Sequence, residues 1–146
     1  MLDIKKVDDV SINKVKEFLM SVPSIQEIDD GILRNAIYVS ENGDILGAIS
    51  YEKFDVKGII RYFVFKRILE EDVISRLFEQ LKAEGVKNKV KILYCVVDND
   101  VIEELFLNLG FKRVENKVMY IDEKPFQMLN YNNARIMEYK GTINLD

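Results

Sequence analysis

Lys66 and Arg67 close a hydrophobic, aromatic-rich run, and after two apolar residues Glu70, Glu71 and Asp72 follow. A strand-to-helix joint of this kind can hold a phosphate, because free backbone amides and the positive end of the helix dipole both face an anion there. Lys66 and Arg67 would add point charges to such a site, or would simply solvate the end of a strand. The three acids oppose an anion, or simply solvate the start of a helix. Arg61 is the one charged residue inside the apolar run. It points into a cleft, where it could bind a carboxylate, or lies on a solvated face. Cys95 stands in an apolar stretch without a histidine to activate it, which describes a buried, inert thiol. The chain contains no histidine at all. That removes Ser-His-Asp and Cys-His nucleophiles and the usual zinc sites, so no metal is expected. Acid–base chemistry falls to Asp, Glu, Tyr, Lys, Cys or water.

The 146 residues suffice for one domain with a sizeable core. The net charge of −4, with both signs interspersed, disfavours nucleic-acid binding, which needs a basic footprint. The first residues lack the apolar core of a signal peptide, and no apolar run is long enough for a membrane span. A single cysteine fits a reducing cytoplasm.

The elements that must position these residues follow from hydrophobic period. Residues 2–7 alternate as an edge strand. Ser11 can cap a helix with Ile12, Val15, Phe18, Leu19 and Val22 inward, ended by Pro23. Ser24 and Glu27 have capping-box spacing ahead of a short helix with Ile25, Ile28, Ile32 and Leu33 inward. Strands over 36–40 and 45–51 flank Asn42-Gly43, a type I′ turn signal. A second turn at Asp55–Gly58 leads to a strand over 59–65, buried on both faces apart from Arg61. Val73, Ile74, Leu77, Phe78 and Leu81 then mark a helix ending at Gly85. A strand over 90–97 follows, then a helix with Val101, Ile102, Leu105, Phe106 and Leu109 inward and Gly110 as its C′ residue. Two short strands, 111–114 and 118–121, flank Glu115–Lys117. The sequence places no element in 125–146. The expected fold is α+β: a mixed, mainly antiparallel sheet with a central parallel β-α-β unit and flanking helices. The expected division is a domain over 1–124 and a tail over 125–146.

The run from Asn99 to Phe111 resembles a segment of the GNAT superfamily of N-acetyltransferases, where it reads Asn-x-x-Ala-x-x-x-Tyr-x-x-x-Gly-Phe. Asn99, Leu109, Gly110 and Phe111 match, and the element order agrees over residues 1 to about 124. The resemblance implies acetyl-CoA or another acyl-CoA as donor and a small-molecule or peptide amine as acceptor. It places the pantetheine arm on the backbone of Phe63, Val64 and Phe65, with Lys66, Arg67 and Asn99 as further cofactor contacts. It suggests Glu52 as the base, directly or through water, and Arg61 as a substrate contact.

Two departures from the family pattern stand out. The pyrophosphate loop, Gln/Arg-x-x-Gly-x-Gly/Ala in the family, falls on residues 69–74. Leu69, Asp72 and Ile74 occupy its signature positions, so the loop is degenerate. The Tyr that protonates the leaving thiolate is replaced by Phe106, which cannot donate a proton. Tyr94 and Tyr120 are more readily strand residues than substitutes. Two functions therefore stay open: an acyl-CoA-dependent N-acyltransferase, and a catalytically inactive binding or regulatory module. In the second, the aromatic tail from Phe126 to Tyr139 would cover an empty cleft or build a homodimer contact.

Overall fold

A computed structural model of the chain describes residues 2–23, 25, 27–97, 100–114, 120–121, 124–125 and 135–140. The elements in chain order are β1 Leu2–Lys6, α1 Ile12–Met20, α2 Asp30–Leu33, β2 Ile37–Glu41, β3 Asp44–Phe54, β4 Lys57–Phe65, α3 Glu71–Lys87, β5 Ile92–Val97, α4 Asp100–Asn108, β6 Lys112–Arg113, β7 Tyr120–Ile121, β8 Lys124–Pro125 and β9 Arg135–Tyr139. The main sheet runs β1-β2-β3-β4-β5-β9-β6. The first four strands are successively antiparallel, and β4 meets β5 in parallel across the α3 crossover. The α+β class and the central β-α-β unit are as the hydrophobic pattern predicts.

One core lies on the α3 face. There Val73, Leu77, Phe78 and Leu81 pack on Ile37, Val39, Ile49, Tyr51 and Leu93. On the opposite face Val15 and Leu19 of α1 and Leu33 of α2 cover Ala36, Ile45 and Ala48.

Several expectations are corrected. Helix α3 does not stop at Gly85. It passes through that residue, which is buried against Val90, and ends two residues later. Its end is a Schellman motif: the Val90 amide donates to Gly85 O and the Lys89 amide to Val86 O, with Lys89 at φ +64°. The cap of α1 is not Ser11, which makes no side-chain cap bond. Instead, Asp8 Oδ1 accepts from the amides of Val10 and Ser11 and from the Ser11 hydroxyl. The Ser11 bonds hold the Asp8 carboxyl below its usual range. The second helix is only Asp30–Leu33, and Asp29 caps it; Ser24 lies outside the described residues. Val101, expected inward, is 77% exposed. The two short strands expected over 111–114 and 118–121 are reduced to β6 and β7, and β7 pairs with β8 in a ribbon separate from the main sheet. The stretch 125–146, to which the sequence assigns no element, contributes β9, which lies between β5 and β6.

Helix α4 ends as expected. The Phe111 amide donates to Phe106 O and the Gly110 amide to Leu107 O, with Gly110 at φ +102°. The Phe106 and Phe111 rings meet at 4.9 Å, the hydrophobic contact that accompanies a Schellman end. Beside them Glu103 is buried, and Arg113 and Arg135 both donate to it, the latter at 2.9 Å. These two guanidiniums, Arg113 first, hold the Glu103 carboxyl below its usual range. A depressed carboxyl pKa gives stability that is complete above the unfolded-state value, about 4.3 for Glu, and is lost as the pH falls through the folded value. We therefore expect Glu103→Gln to melt below the parent at pH 7, with the difference shrinking once the pH drops below about 4. A melting series over pH in both proteins checks this, and a constant difference would refute it.

Candidate functional site

The feature that matters most for chemistry is where β4 and β5 stop pairing. Their ladder covers Lys57↔Ile92, Gly58↔Leu93 and Ile59↔Tyr94. Beyond Ile59, β4 is paired with β3 alone among the described residues. The β3 register jumps there: Ser50 faces Arg61 but Ala48 faces Val64, so Tyr62 and Phe63 together oppose Ile49. This is a β-bulge, and Tyr62 adopts φ +55° within it. A left-handed conformation costs a residue with a side chain about 1–2 kcal/mol. The Tyr62 hydroxyl accepts from the Asp29 amide at 2.9 Å, which ties the bulge to the start of α2.

The bulge and the parted strands leave an open backbone edge in mid-sheet. The Lys66 amide donates to Leu46 O on β3 at 2.8 Å. By strand alternation the amides of Phe65 and Phe63 face the other way, into the gap beside β5. The expectation of a strand buried on both faces is corrected here. Residues 60–65 are half-buried or, at Arg61, exposed, because no strand among the described residues covers that edge. The Phe63 ring lies on the α3 face of the gap, 5.3 Å from Phe106 of α4 and 4.9 Å from Phe65. Phe106 is itself buried, and its ring meets Phe63 of β4. On the α1 face, a cleft of about 360 Å³ lined by Lys14, Phe18, Ile45, Val64, Phe65 and Lys66 adjoins the same strand end.

Glu52 and Arg61 come together, but onto each other: Arg61 Nη1 donates to Glu52 Oε1 at 2.5 Å, with both side chains partly exposed on the α2 face. The guanidinium also lies 5.6 Å from the Tyr62 ring centre. A base and a substrate contact at these positions would start from an ion pair that an acceptor has to open. Cys95 is buried, and burial pushes its thiol far above the usual range, so it offers no nucleophile. Tyr94 is buried too, and burial, with the Glu138 charge second, raises its hydroxyl. Asn99 and the side chain of Tyr120 lie outside the described residues.

The β4–α3 joint differs from a phosphate cradle in each of its parts. Leu69 is buried as an anchor and faces the core. Ile68 is 96% exposed. Lys66 turns to Asp44 at 2.9 Å and Arg67 to Glu41 at 3.5 Å, both on the β2–β3 hairpin. Glu70, Glu71 and Asp72 are exposed around the helix start, and Glu70 makes no side-chain cap bond. The backbone edge therefore suits a pantetheine arm, while the joint does not suit a pyrophosphate.

Tyr62 carries no signal in the sequence. It lies inside an aromatic run, and nothing local distinguishes a bulged residue from a regular one.

No protein-family model matches the chain, and no curated protein matches it. Solved structures do. An N-acetylglutamate synthase from Neisseria gonorrhoeae, complexed with coenzyme A and N-acetyl-glutamate, superposes with a TM-score of 0.70 at 14% identity over 96% of this chain. The present chain spans only 35% of that protein. The ribosomal-protein-S18-alanine N-acetyltransferase from Escherichia coli gives 0.63 at 16% identity, covering 94% of this chain and 92% of the other. An acetyltransferase of the GNAT family from Staphylococcus aureus Mu50 gives 0.64 at 14% identity, covering 94% and 98%. With β4 and β5 parted after Ile59 and the β5–α4 unit closing on Gly110-Phe111, the chain has the fold of the GNAT acetyltransferases.

Proposed function

We propose that this protein binds an acyl-CoA through its acyl-pantetheine half and transfers the acyl group to a small-molecule or peptide amine. The observation that supports this is the free edge of β4. The amides of Phe63 and Phe65 face a gap from which β5 has withdrawn. An extended pantetheine arm, with its own amides, can pair with such an edge as an added strand would. Bound there, the thioester supplies an activated acyl carbon. Strand amides near the bulge polarise its carbonyl. Glu52, once an acceptor displaces Arg61, or an ordered water takes the proton of the attacking amine. Phe106 contributes shape and no proton, so the thiolate takes its proton from water.

Calorimetric titration with acetyl-CoA tests this reading, with saturable binding in the micromolar to millimolar range expected. No heat at millimolar concentrations would end it. A second reading, a binding module without turnover, is favoured by Phe106 and by the Glu52–Arg61 pair. A thiol-release assay with acetyl-CoA and a panel of amines separates the two. Release above the amine-free rate supports transfer, and binding without release supports the module.

A further inference from the structure

At the opposite end of the sheet from the parted strands, a second concavity of about 470 Å³ is lined by Asn35, Tyr51, Lys53, Lys87, Asn88 and Lys89. Among the described residues no acid lines it, in a chain with 25 acids and 21 bases, although the Glu84 charge reaches the Tyr51 hydroxyl. Lys87 pairs with Glu84 at 3.5 Å. The ammonium groups of Lys53 and Lys89 have no partner among the described residues. The floor is fixed. Tyr51 is fully buried, Asn88 Nδ2 donates to its hydroxyl oxygen at 2.6 Å, and Asn35 Nδ2 donates to its carbonyl at 3.1 Å. The Tyr51 hydroxyl proton is left without an acceptor among the described residues. Three lysines thus line one hollow over a hydrogen-bonded floor, and two of them have no acid partner among the described residues.

The backbone gives a second, independent observation. Lys89 occupies the C′ position of the Schellman end of α3, at φ +64°. That position belongs to glycine, which has no side chain to strain. Helix α4 of the same chain places Gly110 there. A lysine in this place costs stability, and what it adds is a charge at the mouth of the hollow. We propose that this hollow is a binding site for a small dianion of the phosphate-monoester kind, separate from the acyl-transfer site and independent of that reading. Lysines hold phosphate as point charges, so the binding weakens as salt rises.

The test is an amide-resolved NMR titration of the full chain with inorganic phosphate, a phosphate monoester (O-phosphoserine) and acetate. Saturable shifts confined to residues 35, 51–54 and 87–90 are expected, with both phosphates at least tenfold tighter than acetate. The decisive variant is Lys89→Gly, which keeps the helix end and removes the charge. It should melt at or above the parent temperature and bind phosphate at least threefold more weakly. Lys53→Gln should weaken binding similarly without changing the melting temperature. Shifts spread over all the lysines, acetate binding as tightly as phosphate, or unchanged affinity in Lys89→Gly would each overturn the proposal.

Discussion

Replacing Glu70, Glu71 and Asp72 by Gln, Gln and Asn should strengthen acetyl-CoA binding about ten- to a hundredfold and leave S-acetylpantetheine binding unchanged. The three acids stand exposed around the first turn of α3, where a GNAT enzyme offers amides to a pyrophosphate. Two like charges at 4 Å repel by about 1 kcal/mol in water and about 4 kcal/mol at the dielectric of a protein surface. Distance and salt reduce each term, since the Debye length is about 8 Å at physiological ionic strength. Three acids against a pyrophosphate still sum to about 1.4–2.8 kcal/mol, which is one to two powers of ten in affinity. The cations of the joint, Lys66 and Arg67, do not offset this, because they are turned to Asp44 and Glu41. In the parent protein, acetyl-CoA and S-acetylpantetheine should then differ by less than tenfold. Parallel calorimetry on both ligands and both proteins decides the matter. A parent that binds acetyl-CoA a hundredfold more tightly than S-acetylpantetheine would show that the acids do not oppose the phosphates. Equal strengthening for the two ligands would place the effect elsewhere.

The fold was legible because its hydrophobic periods are strong and local. Alternation in β1–β3, the helical spacing of Val73, Leu77 and Leu81, and the Gly110-Phe111 end of α4 each declare an element, and their order leaves few topologies. What escaped depends on partners distant in sequence. Strand β9 exists because β5 and β6 flank it, and its five residues show little pattern of their own. Gly85 reads as a helix end by type and spacing, yet Val90 packs against it while Lys89 makes the turn. Of the proposed site residues, the Glu52–Arg61 pair could have been read from the β3–β4 hairpin. A turn at Asp55-Val56 puts Glu52 opposite Ile59 and Ser50 opposite Arg61, so Glu52 and Arg61 become diagonal neighbours on one face. The turning of Lys66 and Arg67 toward the β2–β3 hairpin had no such signal, because it depends on where that hairpin lies in space.

Gly110→Ala should destabilise the protein by about 2–3 kcal/mol, which lowers the melting temperature of a domain this size by about 4–12 °C. Two costs combine. At φ +102° a side chain is strained, by about 1–2 kcal/mol. A Cβ on Gly110 would also stand 2.9 Å from the Tyr139 ring. That ring cannot easily retreat. It packs edge-on against Phe78 at 5.3 Å and meets Phe111 at 5.4 Å, and its hydroxyl accepts from Lys82 at 2.8 Å. The strain therefore spreads into the aromatic cluster that joins α3, α4 and β9. A double-mutant cycle separates the two costs. In a Tyr139→Leu background the clash is relieved and only the conformational cost should remain, so Gly110→Ala should there cost about 1 kcal/mol less than in the parent. Denaturant unfolding of the four proteins measures both values. If Gly110→Ala were neutral in the parent, neither the left-handed turn nor the ring contact would constrain the end of α4. If its cost were the same in both backgrounds, the ring contact would contribute nothing.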